Sequence, residues 1–465
     1  MSHPAPLVSS DLKQLAADVL SKALKAGATD AETVVYEGDE FSALVRLGQV
    51  ETLKESASRA IGLRVFIGQR AASTSSSDFA PESISRLVEG AVTLARITSE
   101  DPFAGLPEPQ EFGRIDRDQH LYFDDVNTMP PAERIEIARR TEAAAMAFDT
   151  RIQNSGGGDF DTSTSHKIML NSRGFSGEYR RSYCGFSASP IAHDEHGKMQ
   201  RNYWFSNSRT TALLEDPEEI GREAARRTLK RLGARQVKTQ RAPVVFSPEI
   251  ARGIIANIFE AANGDAIYRN ASFLSGMLGE QVAGENITVI DDGTIVHNTD
   301  GICFGGFGTR PFDGEGLPTR RTVLVERGIL RNYVTNTYTA RKLGLASTGN
   351  ASRGLAGNPG IGAGNFFLEP GTLTPAQILA DIPSGLYVTE TMGFGVNLVT
   401  GDYSQGASGV WIENGELAYP VEEITIAGSL KDMYRNISAI GNDLVFRGAS
   451  AAPTLRVEGM TIAGA

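Results

Sequence analysis

A chain of 465 residues, 41% apolar and 22% charged, is long enough for about three domains, buries a large core and carries no compositional mark of disorder. Its net charge of -11, with no Lys/Arg-rich block, disfavours a nucleic-acid role, which needs a basic footprint for phosphates. The two cysteines, Cys184 and Cys303, are far apart and in no CxxC spacing. They suggest neither a disulfide framework nor a Cys-based zinc site, and fit a reducing compartment. The N-terminus lacks a basic stretch followed by an apolar one, and no run is long enough to cross a bilayer, so the chain reads as cytoplasmic, with no membrane contact.

The first element in chain order is "SSDLKQLAADVLSKALKAG", where Leu12, Leu15, Ala16, Val19, Leu20 and Leu24 share a helical face and Gly27 supplies the stop. Short alternating runs follow, "AETVVYEG", "EFSALVRLG", "VETLKES", "AIGLRVFIG" and "RAASTSSSD", split by Gly or charged turns. They predict a meandering antiparallel sheet. Helices are expected over 81–97, over 130–148 behind Pro130-Pro131, and over 215–232, with three strands between the last two. Residues 1–235 therefore read as one N-terminal α+β region of helices and antiparallel sheet, with 1–110 and 111–235 as sub-parts, closed by the basic linker "ARQVKTQRAP".

From Ala242 onward glycines cluster and strands dominate, so residues 236–465 read as a β-rich C-terminal domain, sandwich or barrel-like. Two stretches there, "VLVERGILRNYV" and "VWIENGELAYPV", place Arg327-Gly328 and Asn414-Gly415 as hairpin turns that need positive φ. The expected fold class is α+β.

A zinc peptidase helix needs two His on one face with a Glu base, and no HExxH is present. The stretch "IFEAANGDAIYRNASFLSG", residues 258–276, has the look of a catalytic helix but holds no nucleophile and no ligand pair; no His follows Glu260 at helical spacing. "HDEH" at 193–196 reads as a hairpin loop, and "GFSG" and "GASG" read as turns, since neither is GxSxG. A self-sufficient hydrolase would have to draw on His193, His196 or Ser408. The Gly-rich "GICFGGFGTRPFDGEG" and "NPGIGAGNFF" match no phosphate-loop pattern. Polar strands and Gly-rich loops fit a surface that receives extended chain at a sheet edge, or simply tight β-turns, and both readings stay open.

The stretches "GATDAETVVYEG", "RNASFLSGMLGEQVA", "DDGTIVHNTDGICFGGFGTRPFDGEGLPTRRTVLVERGILRNYV" and "GFGVNLVTGDYSQGASGVWIENGELAYPVEEITIAGSLKDM" together resemble the TldD/PmbA peptidase family, in the family's order and over nearly the whole chain. By that resemblance the family has two kinds of subunit. A TldD type holds zinc with an HExxxH helix and a late Cys, and a PmbA (TldE) type lacks both. Here Phe259 takes the place of the first His, Glu260 remains, no second His follows, and "FRGASAAPTLRVEG" near the C-terminus contains no Cys. The resemblance is therefore to the PmbA type. It implies no catalytic residue and no metal or other cofactor in this chain, with zinc in a TldD-type partner that completes a chamber for unfolded peptides. Leader-peptide trimming and turnover of small unfolded proteins are the activities it implies. It allows a homodimer when the partner is absent.

The chamber-wall residues implied are Glu260, Arg269, Asn270, Ser272 and Phe273, with Phe394, Asn397 and Tyr403 in a strand from Gly393 to Tyr403. The alternative is a stand-alone regulatory protein-binding factor, the gyrase-modulator role historically attached to the family.

Overall fold

The computed structural model describes residues 9–195 and 197–464, so His196 lies outside the described residues. Helix α1 (Ser9–Lys25) is followed by three strands, β1 (Asp30–Arg46), β2 (Gln49–Ile67) and β3 (Arg70–Ser76), and by helix α2 (Pro81–Ile97). Four runs that read separately in sequence are thus two long strands. Gly38 is the reason at the first junction: it stays in register opposite Ser58 and Ser165 instead of turning.

Strands β4 (Ile152–Asn171), β5 (Ser176–His193), β6 (Met199–Arg201) and β7 (Trp204–Ser208) complete an antiparallel sheet ordered β3-β2-β1-β4-β5-β6, with β7 also on β5. Helices α1 and α2 cover one stretch of it, burying Leu12, Ala16, Val19, Ile84, Leu87 and Val88 against Val35, Leu63, Val65 and Ile168. Each such Leu, Ile or Val contributes roughly 1.5–3 kcal/mol by leaving water. Helices Pro131–Met146 and Pro217–Leu229 pack in a second layer with Phe160 and Phe186.

The C-terminal region is β-rich. Strands Gln240–Phe246, Leu455–Ala463, Glu416–Ser429, Asp402–Glu413 and Ser384–Met392 pair in turn, and the last pairs back to the first, closing a five-stranded barrel. A second sheet joins Ile329–Leu330, Arg321–Glu326, Val289–Asp292, Asn365–Leu368 and Ser450–Ala451. Helix Pro248–Ala261 packs Ile254, Ile258 and Phe259 into the core that joins barrel residues such as Val244 and Leu386 to Leu324 and Phe366 of that sheet. Both expected hairpin turns form. Arg327 and Gly328 have φ 47 and 80, Asn414 and Gly415 have φ 49 and 81, and the flanking pairs are Glu326 with Ile329 and Glu413 with Glu416. No helix among the described residues is long and apolar enough to cross a membrane.

Candidate functional site

The segment 258–276 is two helices. Helix Pro248–Ala261 ends, and a five-residue helix, Gly264–Tyr268, starts after Asn263, whose side chain accepts from Asp265 N at 3.0 Å. The break is imposed from outside. Val334 N donates to Ala262 O at 3.0 Å and Gly264 N donates to Val334 O at 2.8 Å, so a passing extended chain takes groups that a continuous helix would have bonded internally.

Phe259 is 5% exposed and meets Phe366 edge to face, with centroids 5.3 Å apart. Glu260, next to it, is exposed, and partial desolvation by the surrounding protein raises its carboxyl above the ordinary range. An HExxxH spacing begun at 259 would end at Gly264. A Cβ there would lie 2.8 Å from Thr339 Oγ1 and 3.0 Å from Thr339 Cβ, which leaves no room for an imidazole. Among the described residues no three His, Cys, Asp or Glu side chains are grouped to hold a metal ion. What stands here does not fit a catalytic zinc centre, which needs three protein ligands and an open position.

Two of the residues singled out in sequence sit in the core. Ser272, 6% exposed, donates from Oγ to Ala261 O at 2.5 Å and accepts from Leu274 N at 3.0 Å, tying the turn back to the helix. Tyr403, 2% exposed, donates to Gln405 Oε1 at 3.1 Å, and burial pushes its phenol far up. Asn270 is exposed in a left-handed conformation, φ 53, where the short helix ends. Phe273 N donates to Leu398 O at 2.8 Å, and its ring lies 3.6 Å from where a Cβ on Gly401 would be. The two stretches chosen from sequence therefore meet at Phe273.

The second stretch is not the continuous strand expected. Strand Ser384–Met392 stops at Gly393, φ 97, and the chain turns back through the two-residue strand Val396–Asn397, paired with Tyr403 and Asp402. Asn397 Oδ1 accepts from Val399 N at 2.9 Å and Thr400 N at 3.3 Å, replacing ladder bonds with turn bonds. Phe394 stands at the tip of this excursion, wholly exposed.

Arg269 faces a different space, a cavity of about 800 Å³ between the N-terminal sheet and the C-terminal region. Its Nε is 3.1 Å from Asp265 Oδ2, and its guanidinium lies 5.1 Å from the Tyr268 ring centre. On the same wall Lys342 Nζ sits 4.3 Å from the Phe103 ring centre and 5.3 Å from that of Tyr338. Tyr338 donates to Asp101 Oδ2 at 2.8 Å. Burial pushes the Asp101 carboxyl up, but the Phe103 N–H and the Tyr338 hydroxyl hold it below its ordinary value. Sequence reasoning missed Asp101, Tyr268, Tyr338 and Lys342, because three distant segments meet here and no spacing marks them.

Of the hydrolase residues weighed in sequence, His193 lies on β5 and Ser408 is 4% exposed inside a barrel strand. The Cys184 thiol, on β5, is pushed by burial up to about 12.

Three family models match in succession: PmbA/TldA metallopeptidase domain 1 over residues 31–95, the central domain over 124–232 and the C-terminal domain over 239–464. The chain is 38% identical to Metalloprotease PmbA of Escherichia coli O157:H7, covering 95% of this chain and 94% of that one. It is 34% identical to the Metalloprotease PmbA homolog of Haemophilus influenzae, over 98% and 96%. Among solved structures, a Bacteroides thetaiotaomicron protein described provisionally as a modulator of DNA gyrase superposes with a TM-score of 0.90 at 26% identity, over 99% of this chain and 100% of that one. TldE from Thermococcus kodakarensis gives 0.84 at 22% identity, over 97% and 100%, which shows the shared fold. The chain belongs to the PmbA/TldD metallopeptidase family.

Proposed function

We propose that this chain is the non-catalytic, TldE-like subunit of a heterodimeric zinc metalloprotease, working in the cytoplasm on unfolded peptides. A TldD-type partner supplies the zinc, and this chain completes the enclosed space in which peptides are trimmed or degraded. The observation that carries the reading is the packing at 259 and 264: a core phenylalanine and a glycine pressed on Thr339 stand where the family spacing would put two zinc ligands. Glu260 is left without a metal-bound water to activate.

In this reading residues 1–235 form the α+β region and 236–465 the β-rich domain that carries the accessible wall, with Glu260, Arg269, Asn270, Phe273, Phe394 and Asn397 facing peptide or partner. Backbone pairing along strand edges grips the substrate, with little sequence preference.

Expression of the chain alone and together with an HExxxH-bearing homologue from the same genome tests this. Co-purification, zinc held only by the complex and cleavage of an unstructured peptide only by the complex are expected. Stoichiometric zinc or cleavage by the isolated chain would sink the proposal, and failure to associate with the homologue would favour a stand-alone protein-binding factor.

A further inference from the structure

The N-terminal sheet and loops of the C-terminal region enclose a second cavity, of about 350 Å³, at the lower end of the size range of small-molecule sites. Its floor follows from strand register. Tyr36 on β1 stands opposite Lys167 on β4, Lys167 stands opposite Tyr179 on β5, and one row along Ser165 stands opposite Arg181. Alternate residues share a face, and the intervening Val35 and Ile168 belong to the core under α1 and α2, so this row faces the other way. Arg310 and Arg353 close the cavity from the C-terminal side.

The charges do not cancel locally. Arg353 has Glu32 as its counter-charge behind the lining, but against Lys167, Arg181 and Arg310 the lining offers one carboxylate, Asp313, and backbone donors already occupy it. Its Oδ1 accepts from Glu315 N at 2.8 Å and Leu317 N at 3.0 Å, and its Oδ2 from Ala351 N at 3.0 Å. The Arg353 side chain is 1% exposed and lies 2.5 Å from Glu32 Oε1, yet none of its three guanidinium nitrogens makes an aligned hydrogen bond among the described residues. Nε of Arg181 and Nε of Arg310 are also buried without an acceptor there. Arg181 Nη2 donates to the Tyr179 hydroxyl and Arg310 Nη2 to Gly362 O, each at 3.3 Å and each to a neutral oxygen.

The electrostatic surroundings of Tyr179 and Lys167 carry the same excess of positive charge. Burial would raise the Tyr179 phenol, but the charges of Arg181, Lys167, Arg310 and Arg209 bring it below its ordinary value. Burial lowers the Lys167 ammonium, and Arg181, Arg353 and Arg310 add to that against the pull of Tyr179. Buried guanidinium donors without acceptors are costly, and a bidentate oxyanion is the group that matches their fork.

We propose that this cavity is a binding site for an oxyanion, the phosphate or carboxylate of a small molecule or of a peptide end, held by Lys167, Arg181, Arg310 and Arg353. The site does not depend on the subunit role proposed above. Titration calorimetry on the full chain tests it, with inorganic phosphate and with two tripeptides that differ only in a free or amidated C-terminus.

Saturable binding is expected, weakened about tenfold or more by Lys167→Met, the loss of one charge-assisted contact, and unchanged by Lys54→Met at an exposed position of β2. Phosphate binding without tripeptide binding assigns a free anion, and preference for the free over the amidated tripeptide assigns a peptide terminus. Lys167→Met removes a desolvated charge, so the fold tolerates it; Arg310→Gln serves as the second variant, with circular dichroism as its folding control. Absence of saturable binding by all three probes, or binding that survives Lys167→Met unchanged, would overturn the proposal.

Discussion

Phe259 and Gly264 show how two side-chain choices close a position to metal chemistry. The Phe259 ring is 5% exposed against Phe366 in the main apolar core, where a buried imidazole would have to find a hydrogen-bond partner for its N–H. Phe259→His is therefore expected to cost about 2–4 kcal/mol, from lost apolar burial and a stranded N–H. Adding Gly264→His deepens the loss, because a side chain there runs into Thr339. Thermal unfolding of the double variant with and without zinc checks this, and a zinc-dependent rise in Tm would refute it.

Glu32, 0% exposed, makes a different kind of single-residue commitment. Its Oε1 is 3.1 Å from Arg64 Nη1, which reaches from β2, and 2.5 Å from Arg353 Nη1, which reaches from the C-terminal region. Glu32→Gln leaves two buried guanidinium groups without a counter-charge, and about 3–5 kcal/mol of stability should go with it. Urea denaturation measures that loss, and a change under about 1 kcal/mol, the size of an exposed pair, would remove the triad from the account.

At the scale of elements, the features legible in sequence are those made by neighbours in the chain. Asn414-Gly415 was readable as a hairpin turn because positive φ is a local demand. Gly415 meets a second demand, since a Cβ on it would lie 2.6 Å from Ala380 O. Gly415→Ala should accordingly cost more than the roughly 1 kcal/mol of the left-handed backbone alone. A thermal shift for Gly415→Ala no larger than that for Asn414→Gly would show that the Ala380 contact yields freely. The apolar faces of α1 and α2 were legible for the same local reason.

The break after Ala261 was not, because Val334 makes it from an extended segment far along the chain. The fold of residues 393–403 into a hairpin escaped too, since an alternating pattern does not distinguish one strand from two short ones around a turn. Of the candidate site, the identities Phe259 and Gly264 at the two spaced positions could be read directly. The cavity walls could not, because Asp101, Tyr268, Tyr338 and Lys342 come together only when the N-terminal sheet docks on the C-terminal region.

For the whole molecule, folding buries ionisable groups whose titration links stability to pH. Burial pushes the Asp159 carboxyl up to about 6, Asp291 to about 6 and Glu315 to about 7, the last with help from the charge of Asp313. Their ordinary values are 3.8 for Asp and 4.5 for Glu. A carboxyl raised in the folded state holds its proton after the unfolded chain has released it. Its stabilising contribution is complete below the unfolded value and is lost as pH rises toward the folded one.

Carboxylates shifted the other way, such as Asp149 at about 2 beside Arg151, contribute in full above their ordinary values and lose that contribution only as pH falls below them, so they leave this window alone. The urea midpoint should therefore fall between pH 5 and about pH 7, most of the fall lying below the highest of these values. Glu315→Gln removes one titrating group while keeping an oxygen that can accept from Thr337 N, which donates to Glu315 Oε2 at 2.8 Å. The variant should show a flatter profile over the same range. A wild-type midpoint that rises from pH 5 to pH 7, or a slope that Glu315→Gln leaves intact, would mean that these carboxylates are charged in the folded protein and that Arg64 and Arg310, whose charges favour the ionised forms, outweigh their burial.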